Sequence, residues 1–158
     1  MGYRSQIAFV LSVDGYDKAV VENREKFKAL VGFFKLSDFY NIGTNEDYEL
    51  HKPQANGQGI GWKDGCVMFH AEDWKWYDGY DIVEAWKTLW EQMQDLDGIS
   101  GYFCRVGEEI DDIVEETFGD DPNYDFFRPY SHLSIDDTII GEFESEPKEK
   151  TIEGVETL

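Results

Sequence analysis

The amino-terminal segment RSQIAFVLSV contains a short continuous apolar run. Ile7, Phe9 and Leu11 fall on one alternating set of positions, and Ala8, Val10 and Ser12 fall on the other. A short run that is apolar at both sets is typical of a strand buried on both faces, in the middle of a sheet. We therefore expect a central strand here, with helices covering at least one face of its sheet.

Two amphipathic helices are predicted from the spacing of apolar residues. The first runs from about residue 15 to 31, with Asp14 as its N-cap and Gly32 just beyond its end. The second runs from about residue 80 to 96, with Asp78 as its cap. Its apolar residues recur every three or four positions, at Val83, Trp86, Leu89, Trp90, Met93 and Leu96.

The remaining strands are predicted from short apolar segments between turn signals. A hairpin is expected at IGWKDGCVMFHAED, because Asp64 and Gly65 suit a tight turn and apolar residues lie on both arms. A further short strand is expected over 46–50, before a turn-rich segment. The other predicted segments are strands over 33–42, over ISGYFCRV and near 126–135, and an exposed loop over 53–59.

The segment EEIDDIVEETFG is predicted to form a short third helix with one apolar face and one face of carboxylates. The fold class is therefore α+β: a mainly antiparallel sheet with two principal helices packed on one side, plus this short acidic helix. We expect a single domain over residues 1–141. A flexible acidic tail is expected over 142–158, where the composition is polar and contains proline.

The charge of the chain restricts its partners. The 34 Asp and Glu residues outnumber the 14 Lys and Arg residues, for a net charge of -20. Residues 1–60 hold 8 of the acids and 7 of the bases, which leaves 26 acids and 7 bases for residues 61–158. A field of this sign opposes binding to nucleic acid or to an anionic membrane, and it accelerates encounter with a basic protein surface. Aromatic residues make up 16% of the chain, so the high charge does not predict disorder.

Other patterns argue against a membrane, a cofactor and an enzyme. No apolar run is long enough to span a bilayer and the amino terminus lacks a signal-peptide pattern, so we expect a cytoplasmic protein with Cys66 and Cys104 as free thiols. The three histidines are scattered and form no metal-ligand pattern. No nucleophile motif, P-loop or dinucleotide fingerprint occurs. We therefore expect no metal, no cofactor and no catalytic residue.

The segment DWKWYDGY combines large rings with acids directly before the second predicted helix. These rings can pack in the core, form an anchor patch for a protein partner, or stack on a base or ribose. The candidate partner-binding residues in this segment are Trp74, Trp76 and Tyr77.

The stretch from Glu108 to Asp125 contains no basic residue. It can be a solvated surface that keeps the protein soluble, or a row of carboxylates that imitates DNA phosphates and enters a basic groove. In the predicted helix, several of its carboxylates would share one face. The candidate contacts are Glu108, Glu109, Asp111, Asp112, Glu115, Glu116, Asp120 and Asp121.

Three segments of the chain resemble small uncharacterised proteins of tailed bacteriophages. They are MGYRSQIA at the amino terminus, WKWYDGYDIVE at the second predicted helix and FCRVGEEIDDI after it. Such phage proteins often begin with MGYRS, carry an aromatic KWY segment before a helix and have a later R-x-GE-x-x-DDI segment. The resemblance covers roughly residues 1–114 and brings no catalytic residues. It implies a phage or prophage origin and action in the cytoplasm of a host bacterium. The acidic stretch after Glu115 and the acidic tail depart from it.

Three functions remain open from the sequence. The leading hypothesis is a non-enzymatic phage accessory protein that binds and inhibits a host nucleic-acid-handling or anti-phage defence protein through an acidic, DNA-mimicking surface. The second is a sponge that sequesters a nucleotide immune signal on the aromatic rings. The third is a metal-dependent hydrolase or nuclease that uses clustered carboxylates. The identity of the partner and the formation of homo-oligomers are left open.

Overall fold

A computed structural model describes residues 3–44, 59–63, 65–109, 111–122, 128–130 and 134–136 of the protein. Seven strands and three helices occur in these residues. In chain order they are β1 (Ser5–Val13), α1 (Val21–Lys35), α2 (Asp38–Gly43), β2 (Gly59–Lys63), β3 (Cys66–Trp74), α3 (Asp81–Gln94), β4 (Ile99–Gly107), β5 (Ile113–Phe118), β6 (Arg128–Tyr130) and β7 (Ser134–Asp136).

Five strands form one antiparallel sheet in the order β2-β3-β1-β4-β5. β1 lies at the centre, as its apolar run predicts, between β3 and β4. α1 and α2 lie in the chain between β1 and β2, and α3 lies between β3 and β4, so each helical connection passes over one strand. This interleaved β-α-β-β-α-β order is the split β-α-β, or ferredoxin-like, arrangement. β5 extends it as an additional edge strand.

The helices pack on one face of this sheet, and the predicted α+β class is confirmed. Phe9 of β1 lies at the centre of that face and is 1% exposed. Its ring stacks on Trp86 of α3 at a centroid distance of 4.3 Å. It also lies 5.6 Å from the ring of Phe39 in α2 and 6.3 Å from that of Phe34 in α1. All three helices therefore meet over a single residue of the central strand.

The opposite face of β1 is buried as well. Ala8 and Val10 pack there with Met68 of β3 and with Tyr102 and Cys104 of β4. The two-stranded ribbon of β6 and β7 reaches this region, since β7 contacts β1 and β6 contacts β4. β1 has a hydrogen-bonded strand on each side, so its contact with β7 lies outside the ladder of the five-stranded sheet.

The first helix begins later than the sequence predicts. α1 starts at Val21 and has no side-chain cap. Asp14 is instead bound to the Ser100 hydroxyl, which donates to its Oδ1 at 2.5 Å and so links the end of β1 to the start of β4. The helix also continues past Gly32 to Lys35, because a single exposed glycine costs only about 1 kcal/mol within a helix. The predicted cap and both predicted ends are wrong.

The segment predicted as a strand over 33–42 is helical. It contains the end of α1 and most of α2. Between these helices the Ser37 hydroxyl oxygen accepts a hydrogen bond from the backbone N–H of Tyr40 at 3.2 Å and caps α2. Phe39 is completely buried against the sheet. Capping and burial together outweigh the strand propensity of the aromatic residues.

The prediction of an acidic third helix is also wrong, because the described residues of this segment form no helix, and 113–118 form β5. A helix would bring like charges together at i, i+3 and i, i+4 spacing. In the strand, Glu115 and Glu116 point to opposite faces of the sheet. The β-branched Ile113 and Val114 also suit a strand, and β4 provides the hydrogen-bonding partner.

The predicted hairpin, the strand at ISGYFCRV and the second predicted helix are confirmed as β2–β3, β4 and α3. The register pairs Lys63 with Cys66, and Gly65 in the connecting turn has a φ of +81°. α3 begins at Asp81 with Tyr80 at the N-cap position, so Asp78 is not its cap.

The carboxyl-terminal predictions are resolved only in part. Two short antiparallel strands, β6 and β7, replace the single strand predicted over 126–135.

The loop predicted over 53–59 ends one residue too late, because Gly59 is the first residue of β2. The rest of that predicted loop, the segment 46–50 and the predicted tail over 142–158 lie outside the described residues.

The contacts of Phe9 predict a large effect of its removal. Phe9→Ala should lower the free energy of unfolding by about 3–5 kcal/mol, because it removes the ring that contacts all three helices and leaves a cavity in its place. Leu36→Ala is the control, since Leu36 is 84% exposed and should change the value by less than about 0.5 kcal/mol. Urea unfolding followed by tryptophan fluorescence measures both. A cost below about 1 kcal/mol for Phe9→Ala would contradict this central role.

Candidate functional site

The turn between β4 and β5 carries several of the candidate acids. The Gly107 N–H donates to the carbonyl oxygen of Asp112 at 2.8 Å, and the Ile113 N–H donates to that of Asp111 at 2.9 Å. Asp111 has a φ of +70°, a left-handed conformation that Asp tolerates better than most residues. The backbone itself therefore holds the turn in one conformation.

Asp112 is the centre of a polar cluster beside this turn. Arg105 Nη2 donates to Asp112 Oδ1 at 2.7 Å and Arg105 Nη1 donates to Oδ2 at 3.2 Å, which gives a bidentate ion pair. The Tyr3 hydroxyl donates to the same Oδ2 at 2.5 Å. Arg105 also donates to the Ser5 hydroxyl oxygen at 3.1 Å. The cluster joins β1, β4 and the turn, and its ion pair is better shielded from water than an ordinary surface pair.

These contacts shift the pKa values of two groups. Hydrogen bonds from Arg105 and then from Tyr3 lower the pKa of Asp112 below its ordinary value of 3.8. The hydrogen bond to the Asp112 carboxylate raises the pKa of the Tyr3 phenol above its ordinary value of 10.0. At neutral pH the cluster therefore contains an ionised Asp112 and a protonated Tyr3.

Gly107 leaves the space that this cluster occupies. A Cβ atom at Gly107 would collide with the Asp112 carboxylate and with the Tyr3 hydroxyl. Glycine at the end of β4 is therefore required for the close approach of these two side chains.

The amino-terminal segment is tied to the same turn by backbone groups. The Arg4 N–H donates to Glu108 Oε2 at 2.5 Å, and the Glu109 N–H donates to the Tyr3 hydroxyl oxygen at 3.0 Å. The Tyr3 N–H donates to the hydroxyl oxygen of Tyr77 at 2.6 Å. The carboxylate of Glu108 therefore has a structural role, and the aromatic segment after β3 is joined to the acidic turn through Tyr3.

β5 is held against β4 by contacts on both faces of the sheet. On one face Glu115 Oε2 accepts a hydrogen bond from the Tyr102 hydroxyl at 2.7 Å. On the other, the ring of Phe118 covers Gly101 and lies 4.8 Å from the ring of Trp90. The strand is therefore fixed at the edge of the sheet although half of its own residues are exposed.

The two cysteines are free and buried within the sheet. Burial is the main cause that raises the pKa of Cys104 to about 12, so its thiol is unreactive at neutral pH. The expectation of free buried thiols is confirmed.

The structure divides the predicted acidic contacts into two groups. Glu108, Asp112 and Glu115 are engaged in the hydrogen bonds described above. The second group is exposed along the turn, β5 and the residues after it, and we call it the acidic edge. It consists of Glu109, Asp111, Glu116, Asp120 and Asp121.

The three aromatic candidates lie in different surroundings. Trp74 ends β3 and packs on Phe69 at a centroid distance of 5.6 Å, so it belongs to the core boundary. Trp76 is half-buried and its ring lies 6.3 Å from that of Phe103. Tyr77 is bound to the Tyr3 N–H through its hydroxyl. Only Trp76 and Tyr77 line the cavity described next.

A cavity of about 450 Å³ lies between the aromatic segment, α3 and the β4–β5 hairpin. Its apolar wall consists of Trp76, Trp86 and Phe103, and the rings of Phe103 and Trp86 stack at 5.2 Å with an interplanar angle of 23°. Arg105 and Glu116 of the hairpin also line it. A cavity of this size is sufficient for a small ligand or a single long side chain.

Two further lining residues, Lys87 and Asp78, belong to a second ion-pair cluster. Lys87 Nζ lies 2.8 Å from Asp78 Oδ1 and 3.2 Å from Glu84 Oε2. Hydrogen bonding to Asp78 is the main cause that raises the pKa of Lys87, and the same bond lowers the pKa of Asp78. The Gly79 N–H and then Lys87 lower the pKa of Glu84. Both cations of the cavity, Lys87 and Arg105, are therefore already bound by carboxylates.

Sequence reasoning missed several residues of this site. Tyr3 lies 109 positions from Asp112, and no local pattern links the two. Arg105 and Phe103 are visible in the sequence as alternate residues of a predicted strand, which was the one available signal that they share a face. Trp86 and Lys87 were assigned only to a helix, because their position at the cavity depends on how α3 packs.

Among the described residues, no group of three or more His, Cys, Asp or Glu side chains is arranged to hold a metal ion. None of the helices in the described part of the chain is long and apolar enough to cross a membrane. Comparison of the chain with protein-family models, with curated proteins and with solved structures gives no match.

The ion pair of Asp112 predicts a pH-dependent stability. Because the Asp112 pKa is lower in the folded state than in the unfolded state, ionisation stabilises the fold above pH 3.8, and this contribution is lost as the pH falls through the lowered pKa. Asp112→Asn should therefore lower the free energy of unfolding by about 1–3 kcal/mol at neutral pH. The difference in unfolding free energy between this variant and wild type should become smaller as the pH falls below 3.8.

Urea unfolding over a series of pH values measures this difference. Asp111→Asn is the control, because the exposed Asp111 side chain makes none of these contacts, and it should stay within about 0.5 kcal/mol of wild type. An Asp112→Asn difference that keeps its full size at pH values well below 3.8 would contradict the role of the ion pair.

Proposed function

We propose that this protein is a non-enzymatic bacteriophage accessory protein that binds and inhibits a host nucleic-acid-handling or anti-phage defence protein. Binding occurs through the acidic edge, which occupies a basic surface on the partner in place of DNA phosphates. The proposal is supported most directly by one observation: the exposed carboxylates follow a single edge of the sheet, from the β4–β5 turn to the residues after β5.

The acidic edge is an extended row rather than a compact patch. The six residues of β5 span roughly 20 Å at ~3.3 Å per residue, with exposed acids at both ends and Glu116 between them. The scaffold beneath is rigid, because Asp112, Glu108 and Glu115 use their charges to hold the turn and the strand. Charges held in place before binding lose less conformational entropy when they meet a partner.

An acidic edge strand can also serve only to prevent pairing between sheets of different molecules. That role requires charges on β5 itself, where Glu115 and Glu116 lie. It does not require Glu109 and Asp111 in the turn or the acids at 120 and 121, which are outside the hydrogen-bonded ladder. The distribution of the acids beyond the strand therefore favours recognition of a basic surface.

The resemblance of MGYRSQIA, WKWYDGYDIVE and FCRVGEEIDDI to small phage proteins supports the phage origin and the bacterial cytoplasm as the place of action. The net charge of -20 opposes direct binding to nucleic acid, so a protein that binds nucleic acid is the better partner.

Two variants with equal charge change test the acidic edge. The first neutralises four of its residues: Glu109→Gln, Asp111→Asn, Asp120→Asn and Asp121→Asn. The second neutralises four exposed acids of the helices and the α3–β4 loop: Glu25→Gln, Asp38→Asn, Asp95→Asn and Asp97→Asn. Partners captured from bacterial lysate by the wild-type protein are identified by mass spectrometry, purified and titrated against all three proteins.

The acidic-edge variant should bind the partner at least tenfold more weakly at low salt, about 1.4 kcal/mol, whereas the helix variant should stay close to wild type. Raising the salt concentration should weaken wild-type binding, because exposed charges are screened over ~8 Å at physiological ionic strength. Double-stranded DNA should displace the wild-type protein from its partner. The proposal would be contradicted by equal affinity of both variants for the partner, or by a partner that binds DNA and this protein at the same time.

A nucleotide sponge is the second candidate, because the cavity brings Trp76 and Tyr77 together with Lys87 and Arg105. A phosphate would have to compete with Asp78 and Asp112 for these two cations. The charge of the cavity therefore favours the first proposal.

A further inference from the structure

The aromatic wall of the cavity continues the hydrophobic core to the surface. The rings of Phe9, Trp86 and Phe103 follow one another at 4.3 and 5.2 Å, and Trp76 lies 6.3 Å beyond Phe103. The inner three are at most 4% exposed, whereas Trp76 is half-buried and lines the cavity. An extended row of rings backed by the core gives the cavity a rigid π surface.

The charges around this surface are unequal. Asp112 is paired with Arg105, and Asp78 is paired with Lys87. Glu116 is exposed beside Phe103, its partner in the strand register, and among the described residues it has no ion pair. The cavity thus combines aromatic faces with one uncompensated carboxylate, and all of its lining residues except Tyr3 belong to the acidic part of the sequence after residue 60.

We propose that this cavity binds the guanidinium group of an arginine side chain supplied by the basic partner, with Trp76 beneath the cation and Glu116 as its counter-ion. This inference rests on the proposed function, because it names the anchor residue that a basic surface would insert beside the acidic edge.

Arginine fits the observations better than other ligands. Its planar guanidinium stacks on an aromatic face and donates two hydrogen bonds to one carboxylate, whereas a lysine ammonium does neither as well. An anion would meet Glu116 without gaining a free cation, since Lys87 and Arg105 are already paired. The complementarity of charge and shape therefore selects a flat cation.

The cavity is tested without the partner, using N-acetyl-arginine amide as the probe. Its binding is followed through the indole N–H resonance of Trp76 in nitrogen-15 spectra, which is assigned by its loss in Trp76→Phe. The uncharged isostere N-acetyl-citrulline amide is the matched ligand control. The arginine probe should give a saturable shift in the millimolar range, and citrulline should bind on the order of tenfold more weakly because the cation is lost.

Two substitutions complete the test. Glu116→Gln should weaken arginine binding by about fivefold or more, because it removes the counter-ion. Glu109→Gln, an exposed acid of the same hairpin that does not line the cavity, should leave it unchanged. Three results would overturn the proposal. They are equal affinity for the citrulline and arginine probes, unchanged arginine affinity in Glu116→Gln, and a shift of the Trp76 resonance with adenosine monophosphate but not with the arginine probe.

Failure here is distinguishable from failure of the proposed function. The acidic-edge variant keeps Trp76 and Glu116 intact, so it should still bind the arginine probe. If arginine does not bind but the acidic-edge variant loses the partner, the cavity proposal fails and the proposed function stands. If the arginine probe binds but the acidic-edge variant binds the partner as tightly as wild type does, the proposed function fails and the cavity remains a guanidinium site.

Discussion

The ring of Phe9 contacts one aromatic residue from each helix, Phe34, Phe39 and Trp86. Because these helices occupy different parts of the chain, their common contact with the central strand is what holds them over the same face of the sheet. The same stacking continues through Phe103 towards Trp76. The interaction that stabilises the core thus also builds the wall of the surface cavity, and a defect at Phe9 would be transmitted to both.

The acidic residues of the β4–β5 hairpin serve two purposes that depend on each other. Some of them stabilise the fold through hydrogen bonds. Asp112 binds Arg105 and Tyr3. Glu108 binds the Arg4 backbone N–H, and Glu115 binds the Tyr102 hydroxyl. These contacts offset the mutual repulsion of so many like charges by giving several of them local partners. The remaining carboxylates lie on β5, in the turn before it and in the residues after it, and the position of the strand does not depend on them.

Local patterns predicted the fold where burial and periodicity agree. The apolar run around Phe9 belongs to a buried central strand, and the apolar stripe around Trp86 belongs to α3. Prediction failed at 33–42 and in the acidic segment, where short apolar stretches fit either periodicity. In the first, the cap at Ser37 and burial of Phe39 selected helices. In the second, pairing with β4 selected a strand. The candidate acids stand out in the sequence as a run without bases, but their predicted arrangement on a helix was wrong.

The sequence by itself determined the sign of the charge and its location in the chain, the buried central strand and the presence of acids next to aromatic residues in the chain. These properties depend on residue type and on near neighbours in the chain, so one sequence is enough to read them. Only the tertiary structure decided which carboxylates are engaged and which are free, and that Trp76 and Glu116 share a cavity. Such contacts join residues as far apart as Tyr3 and Asp112, 109 positions in the chain. They are set by strand register and helix packing, which no local pattern encodes.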